Sequence, residues 1–342
     1  MLRSDREKTS TKAAPKRAGL ARKRDALARP PGSADYSVAE VRRVPDALAG
    51  LRLDVALARM FPEHSRSRMQ AWLRDGRIAV DSDRLAGKAG KRKVWGGEQV
   101  RIEPAADPRA AAFSPEAVAL DVVYEDEAIL VIDKPAGLVV HPGSGNWRGT
   151  LLNAILHHAP ATAALPRAGI VHRLDKGTSG LLVVAKTLTA QTALARQLHA
   201  RTVRREYLAL VHGALRAGGT VDAPIGRHPV ARTRMAVAAR GKPARTHYAV
   251  LRRFARATLV ECRLETGRTH QIRVHMHSLG HPLVGDPVYG RRAPGVSPAL
   301  AAFARQALHA ARLALVHPMT RAEVGWTSPL PADLRALLDA LD

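Results

Sequence analysis

Apolar residues recur at helical spacing in Leu53, Ala56, Leu57, Met60 and Phe61, and Pro62 follows, which predicts one amphipathic helix. Ser65 can cap a second helix, with Met69, Trp72 and Leu73 as its apolar face and Gly76 just past its end. Strands are expected over 77–80 and 99–102, separated by the polar turn Asp81-Ser82-Asp83 and a basic cluster of Lys88, Lys91, Arg92 and Lys93. Residues 48–104 thus read as one small unit, and the Ala- and Pro-rich stretch 105–120 as a linker. A larger domain over 121–342 opens with 122–124, 128–132 and 138–140, which look like consecutive strands joined by hairpin turns. Thr150 can cap a helix with Leu151, Leu152, Ile155 and Leu156 on one face, and 181–184 reads as a core strand. A helix over 190–201 and strands over 203–211 and 259–264 follow, the last with Val260, Cys262 and Leu264 on one face. After Gly267-Arg268-Thr269 comes a helix with Ile272, His275, Met276 and Leu279 inward and Arg273 on its flank, ending at Gly280. A final helix is expected over 332–341. Strands and helices mixed without regular alternation predict an α+β domain rather than a doubly wound sheet.

Charge narrows the function. The 342 residues carry a formal charge of +24, a large self-repulsion unless the protein meets a polyanion, and nucleic acid is the first candidate. Residues 1–37 hold few large apolar side chains, so burial cannot offset the entropy of ordering them, and a disordered basic tail is expected. Such a tail serves either as a nonspecific RNA contact or as a solubilising extension. The first 35 residues account for +6 of the net charge and leave +18 for the rest, so the folded part is basic too. The tail holds no basic amphipathic helix with a bulky apolar face, which argues against an anionic membrane. Cys262 is the one cysteine, which excludes an intramolecular disulfide and fits a reducing compartment. No apolar run approaches the roughly twenty residues of a membrane span, and a cytoplasmic protein is expected.

The chemistry concentrates in AGIVHRLDKGTSGLLVVAK, residues 168–186, where Asp175 stands among His172, Arg173 and Lys176 just before the core strand. The string HRLDxxTSG resembles the signature of the RluA-type family of RNA pseudouridine synthases. REYLALV, from Arg205, and GRTHQIRVH, from Gly267, match two further family segments. The resemblance runs from about Val122 to the C-terminus and implies a mixed, largely antiparallel sheet. It assigns catalysis to Asp175, Tyr207 and Arg273. Arg173 would fill the gap left by a flipped-out base, and Arg268 and Gln271 would contact the substrate, as would His172 unless it is a turn histidine satisfied by a backbone carbonyl. Residues 48–104 resemble the S4 RNA-binding domain, which places Arg66, Arg68, Arg74 and Arg77, with Lys88, Lys91, Arg92 and Lys93, against RNA phosphates.

Physical logic agrees with that carry-over. Isomerising uridine cuts the N1 glycosidic bond, turns the base and joins C5 to the same ribose carbon, so nothing is lost or added and no cofactor is required. A glycoside hydrolase needs two carboxylates. Here the base leaves as a stabilised anion and no water enters, so one carboxylate suffices, as nucleophile or as base. A neighbouring arginine favours its ionised form. Tyr207 would stack on the base and help remove the C5 proton, or it is a packed strand tyrosine.

Two rivals stay open. His270, His275, His277 and His281 are near one another in sequence and could hold zinc, against which stand the basic neighbours Arg268 and Arg273 and the lack of an HExxH string; no metal is expected. A noncatalytic RNA-binding assembly factor would share the charge and the small unit. HPGSGNWRGTLLNAILHH from His141 and the segment 222–248 resemble the D-type branch of the family. That branch implies the helix 69 stem-loop of 23S rRNA, met on a precursor large subunit by a monomer. Gly177-Thr178-Ser179 departs from the Asp-Thr-Thr often seen in that branch.

Overall fold

A computed structural model of the chain divides into two units between Asp107 and Pro108, and describes residues 38–87, 89–105, 112–143, 145–290 and 297–341. The basic tail 1–37, Lys88 and part of the linker, 106–111, lie outside the described residues.

In the first unit β1 (Glu40–Arg43) precedes α1 (Leu53–Met60), α2 (Arg66–Arg74), β2 (Ile78–Val80), β3 (Asp83–Leu85) and β4 (Gln99–Ile102). The strands form an antiparallel sheet in the order β1-β4-β2-β3. Local chemistry explains the boundaries. The Ser65 hydroxyl accepts the Arg68 amide at the start of α2, and Gly76 takes φ +68° beyond its end. Asp81 and Ser82 both have positive φ, which matches the twist of the tight β2–β3 hairpin they close. Leu53, Leu57, Phe61, Met69, Leu73, Ile78 and Ile102 make one buried core between the helices and the sheet.

The second unit begins with β5 (Val122–Glu125), β6 (Ile129–Lys134), α3 (Leu151–His158), β7 (Ser179–Ala185), α4 (Leu188–Ala200) and β8 (Arg204–His212). It continues through β9 (Gly219–Asp222), β10 (Ile225–Arg227), β11 (Met235–Val237), β12 (Arg245–Arg253), β13 (Ala257–Leu264) and α5 (Gln271–Ser278). It ends with α6 (Pro298–Ala302), β14 (Leu308–Val316), β15 (Glu323–Thr327) and α7 (Ala332–Asp339). Among the described residues nine strands form one sheet in the order β5-β6-β7-β14-β8-β13-β12-β9, with β15 paired to β14, while β10 and β11 make a separate ribbon. Every one of these pairings is antiparallel except β7 with β14, so the α+β reading and the mixed, largely antiparallel sheet hold. Gly180 makes that parallel contact possible: its φ is +108°, and a Cβ there would lie 2.3 Å from the Ala310 carbonyl oxygen.

Both faces of the sheet are covered. On one, Leu151 and Ile155 of α3 and Ile272 and Met276 of α5 pack on Leu130, Ile132, Tyr207 and Cys262. On the other, Ala190 and Leu194 of α4 pack on Val131, Leu181 and Val183. The strand expected at 138–140 does not form. β6 pairs with β7 instead, and the carbonyls of Leu138, Val139 and Val140 accept the Lys134 ammonium and the first amides of α3. Arg273 is not on an exposed flank of its helix: it is 3% exposed, and Leu279, expected inward, is 39% exposed.

Candidate active site

The turn that carries Asp175 is braced from two sides. Ile170 bridges to Val184 before it, and the Thr178 amide donates to the Asp175 carbonyl within it (3.0 Å). The Lys176 carbonyl accepts from the Gly137 amide (2.8 Å) and from Lys134 Nζ (3.4 Å). Lys134 is wholly buried and also donates to the carbonyls of Pro135 and Leu138; burial pushes its ammonium down to about 7, although the charges of Asp175 and Asp133 resist. On the other side Arg305 donates to the Gly177 carbonyl (3.0 Å) and forks onto Asp333 of α7 (2.6 and 2.8 Å).

Asp175 meets a guanidinium already committed elsewhere. Arg273 Nη1 donates to Asp175 Oδ2 at 2.9 Å, while its Nε and Nη2 hold Asp286 in a bidentate pair at 2.7 and 2.8 Å. Asp286 accepts in addition from the amides of Val288 and Tyr289, and the Tyr289 ring centre lies 5.2 Å from the guanidinium carbon. Burial opposes charge on both partners, but their mutual hydrogen bonds and charges win: Arg273 is held above and Asp286 below its ordinary range. The side chains of Arg273 and Asp286 are 4% and 0% exposed and that of Asp175 is 14%. Asp175 is therefore the end of the chain of charges that reaches solvent.

His270, at φ +58° just before α5, places Nε2 3.9 Å from Asp175 Oδ1. Its Nδ1 lies 2.9 Å from the Tyr289 hydroxyl, which also accepts the Met235 amide. Burial lowers the His270 pKa, against the pull of Asp175.

Asp175, Arg273 and His270 line a cleft of about 1390 Å³, together with Tyr207, Arg173, His172, Arg268 and Gln271. Tyr207 is 5% exposed, opposite Cys262 and Ala310 on the neighbouring strands; burial raises its pKa, and the Asp175 charge adds to this. Arg173 is exposed at the rim. His172 accepts the Val183 amide through Nε2 (3.1 Å), and burial pushes its imidazole down to about 3, with Arg205 adding to the shift. It is a neutral acceptor at pH 7. Gln271 does not serve as a substrate ligand: its amide oxygen accepts Thr266 and the Arg268 amide, and its nitrogen donates to the Arg245 carbonyl and Thr246. All four of its hydrogen-bonding valences are used inside the protein, so it fixes the loop before α5. Arg268 Nε donates to the Pro243 carbonyl (3.1 Å) from a half-buried position.

The histidine cluster comes apart. His275 is taken by Thr246 and the Ala223 carbonyl, and His281 by the His212 carbonyl. In the first unit Arg66 pairs with Asp54 at 2.7 Å, Arg68 is half-buried, and Arg74, Arg77, Lys91, Arg92 and Lys93 are exposed. Trp95, beside that basic run, is 70% exposed. Sequence reasoning gives Asp286 and Tyr289, which stand in HPLVGDPVYG, no role, and it passes over Arg205 and Lys134. For Asp286 the one available signal is a lone carboxylate inside an otherwise apolar, Gly- and Pro-bounded run.

Comparison with known proteins bears on this geometry. Residues 128–278 match the family model for RNA pseudouridylate synthase. A relative from Nitrosomonas europaea, ribosomal large subunit pseudouridine synthase D, is 59% identical over 300 residues, which cover 87% of this chain and 86% of the relative. The chain belongs to the RNA pseudouridylate synthase family. The protein of the same name from Pseudomonas aeruginosa is 54% identical over 305 residues, covering 87% of this synthase and 94% of the relative. Among solved structures, human RNA pseudouridylate synthase domain containing 1 superposes with a TM-score of 0.52 at 29% identity, over 65% of this chain and 89% of its own. Human RNA pseudouridylate synthase domain containing 4 gives 0.50 at 27%, over 64% and 92%. Among the described residues no helix is long and apolar enough to cross a membrane.

Proposed function

We propose that this synthase converts uridines of 23S rRNA to pseudouridine, with Asp175 as the reacting carboxylate. One observation carries the reading: of the two carboxylates lining the cleft, Asp333 is engaged by the Arg305 fork, whereas Asp175 keeps Oδ1 facing the cleft with His270 Nε2 3.9 Å away. A single available carboxylate suits a reaction in which the base leaves, turns and returns without water. Arg273 orients Asp175 and balances its charge, and Asp286 in turn anchors Arg273. Tyr207 faces the base inside the cleft. Arg173, exposed at the rim, occupies the stack that the flipped uridine leaves, an exchange that offsets part of the few kcal/mol of unstacking.

The relatives' names, the D-type wording of the sequence and the basic first unit support a large-subunit substrate, with the helix 69 stem-loop on a precursor subunit as the specific target. In this reading the first unit is an S4-like RNA-binding domain, with Arg74, Arg77, Lys91, Arg92 and Lys93 as its phosphate contacts. The test uses unmodified 23S rRNA tritiated at uracil C5, in the presence of a chelator, and compares the wild type with Asp175→Asn. Release by the wild type alone, mapping to the helix 69 loop, is expected. Release at other sites would keep the reaction and move the target; binding without release would favour an assembly factor.

A further inference from the structure

Among the described residues Arg205 is a buried cation with no carboxylate in reach. It is 7% exposed, it lines the cleft, and its Nη2 makes a long hydrogen bond to the Glu265 carbonyl (3.4 Å). Its Nε is buried and finds no acceptor there. Two other arginines drawn into this cleft are committed to carboxylates: Arg273 holds Asp286 and Asp175, and Arg305 forks onto Asp333. Glu265, whose backbone Arg205 touches, gives its own carboxylate to Arg201, Arg245 and His247. A guanidinium left this way in a protein interior is costly unless an anion arrives to pair with it.

The seat is built for the group. Gly267 leaves the space that the guanidinium fills, because a Cβ at that position would lie 2.8 Å from Arg205 Nη1. Along β8, Arg205 and Tyr207 are both buried and two residues apart, so they share one face of the strand about 7 Å from each other. That is about the reach from a base held over Tyr207 to the sugar-phosphate backbone that carries it. We propose that Arg205 is a phosphodiester-binding site within the cleft, gripping the RNA strand beside the flipped uridine. The inference rests on the RNA substrate of the preceding reading and adds a residue that anchors the backbone rather than the base. Its field is already felt locally: the Arg205 charge lowers the pKa of His172 and works against the rise at Tyr207.

The experiment measures binding of an unmodified 23S rRNA stem-loop transcript against salt, in an Asp175→Asn background so that turnover does not enter. Arg205→Met is expected to weaken binding about ten- to hundredfold. It should also make the log-log salt slope shallower by about 0.7, one phosphate contact to unpaired RNA. Arg205→Lys, which keeps the charge, restores the slope. Gly267→Ala removes no buried side chain but displaces the guanidinium, and it should reproduce part of the loss; if Arg205→Met does not fold, this variant decides on the same criterion. In the otherwise native enzyme the fall in kcat/KM should lie mainly in KM. An unchanged slope in both Arg205→Met and Gly267→Ala would overturn the proposal, and a loss confined to kcat would overturn it too, by placing Arg205 on the charge developing on the departing uracil. Failure of the wild type to release tritium, with the slope change intact, would sink the proposed reaction and leave this RNA contact standing.

Discussion

Two aspartates in this protein sit in nearly the same chemistry and do different things. Asp54 at the start of α1 is 2% exposed and is held by Arg52, Arg66 and Gln70, but the two arginines are 50% and 54% exposed. Asp286 is fully buried, and so, nearly, is its partner Arg273, whose remaining nitrogen reaches a third group, Asp175. In the first cluster water remains available to the cations, and the pairing ties two helices together. In the second the charges have been withdrawn from water and can be satisfied only by one another, which fixes Asp175 in place. An Arg–Asp pair becomes a positioning device when the guanidinium as well as the carboxylate is out of solvent.

The sharpest break of that comparison is at its functional end. Asp175→Asn should lower turnover by about 10⁴-fold or more in the tritium-release assay while RNA affinity stays within a few fold. Retained turnover would mean that the buried chain of charges ends on the wrong residue. Next comes stability. Asp286→Ala leaves Arg273 buried without its bidentate partner and should cost about 3 kcal/mol or more, whereas Asp54→Ala frees arginines that water can solvate and should cost about 1 kcal/mol. Thermal and urea unfolding of the two variants read this directly, and equal losses would erase the distinction.

A smaller effect separates a half-buried neutral group from buried charges. His172 has a folded pKa of about 3 against 6.5 unfolded, so the unfolded chain binds the extra proton between those values. Its contribution is complete above pH 6.5 and is lost as pH falls toward 3. His172→Gln, which can still accept the Val183 amide, should therefore lose up to about 2 kcal/mol less stability than the wild type between pH 7 and pH 5. Parallel unfolding curves at the two pH values would contradict the neutral-acceptor role. The smallest change is expected on the exposed side. Arg74→Ala with Arg77→Ala should reduce the salt slope of rRNA binding by about 0.7 for each phosphate that is no longer neutralised, and leave kcat in place; an unreduced slope would remove these two from the RNA surface.

What can be read in the sequence follows the same division. HRLD, REYLALV and GRTHQIRVH carry Asp175, Tyr207 and Arg273, because each lies in a dense local string. The helices α1 and α2 are equally plain, since their periodicity and the Ser65 cap are local. The remaining features depend on where distant segments meet. Residues 138–140 have strand composition, yet their carbonyls are claimed by Lys134 and by α3, which no periodicity reports. Helical spacing puts Arg273 on a flank because it treats arginine as a surface residue; Asp286, thirteen positions on, supplies the charge that lets it be buried. Gln271 looks available in sequence, and only its four neighbours in the fold show that it is not.

The doubly braced turn has a consequence for how substrates are chosen. With the Lys176 and Gly177 carbonyls held by Lys134, Gly137 and Arg305, the carboxylate-bearing loop is poorly placed to travel toward a base that remains stacked. If the proposed reaction holds, adaptation then falls to the nucleic acid, and candidate uridines are ranked by how little it takes to deform the loop around them. Softness of the RNA becomes part of the recognition code, and a uridine in a flexible hairpin is favoured over the same sequence locked in a duplex before any base edge is read.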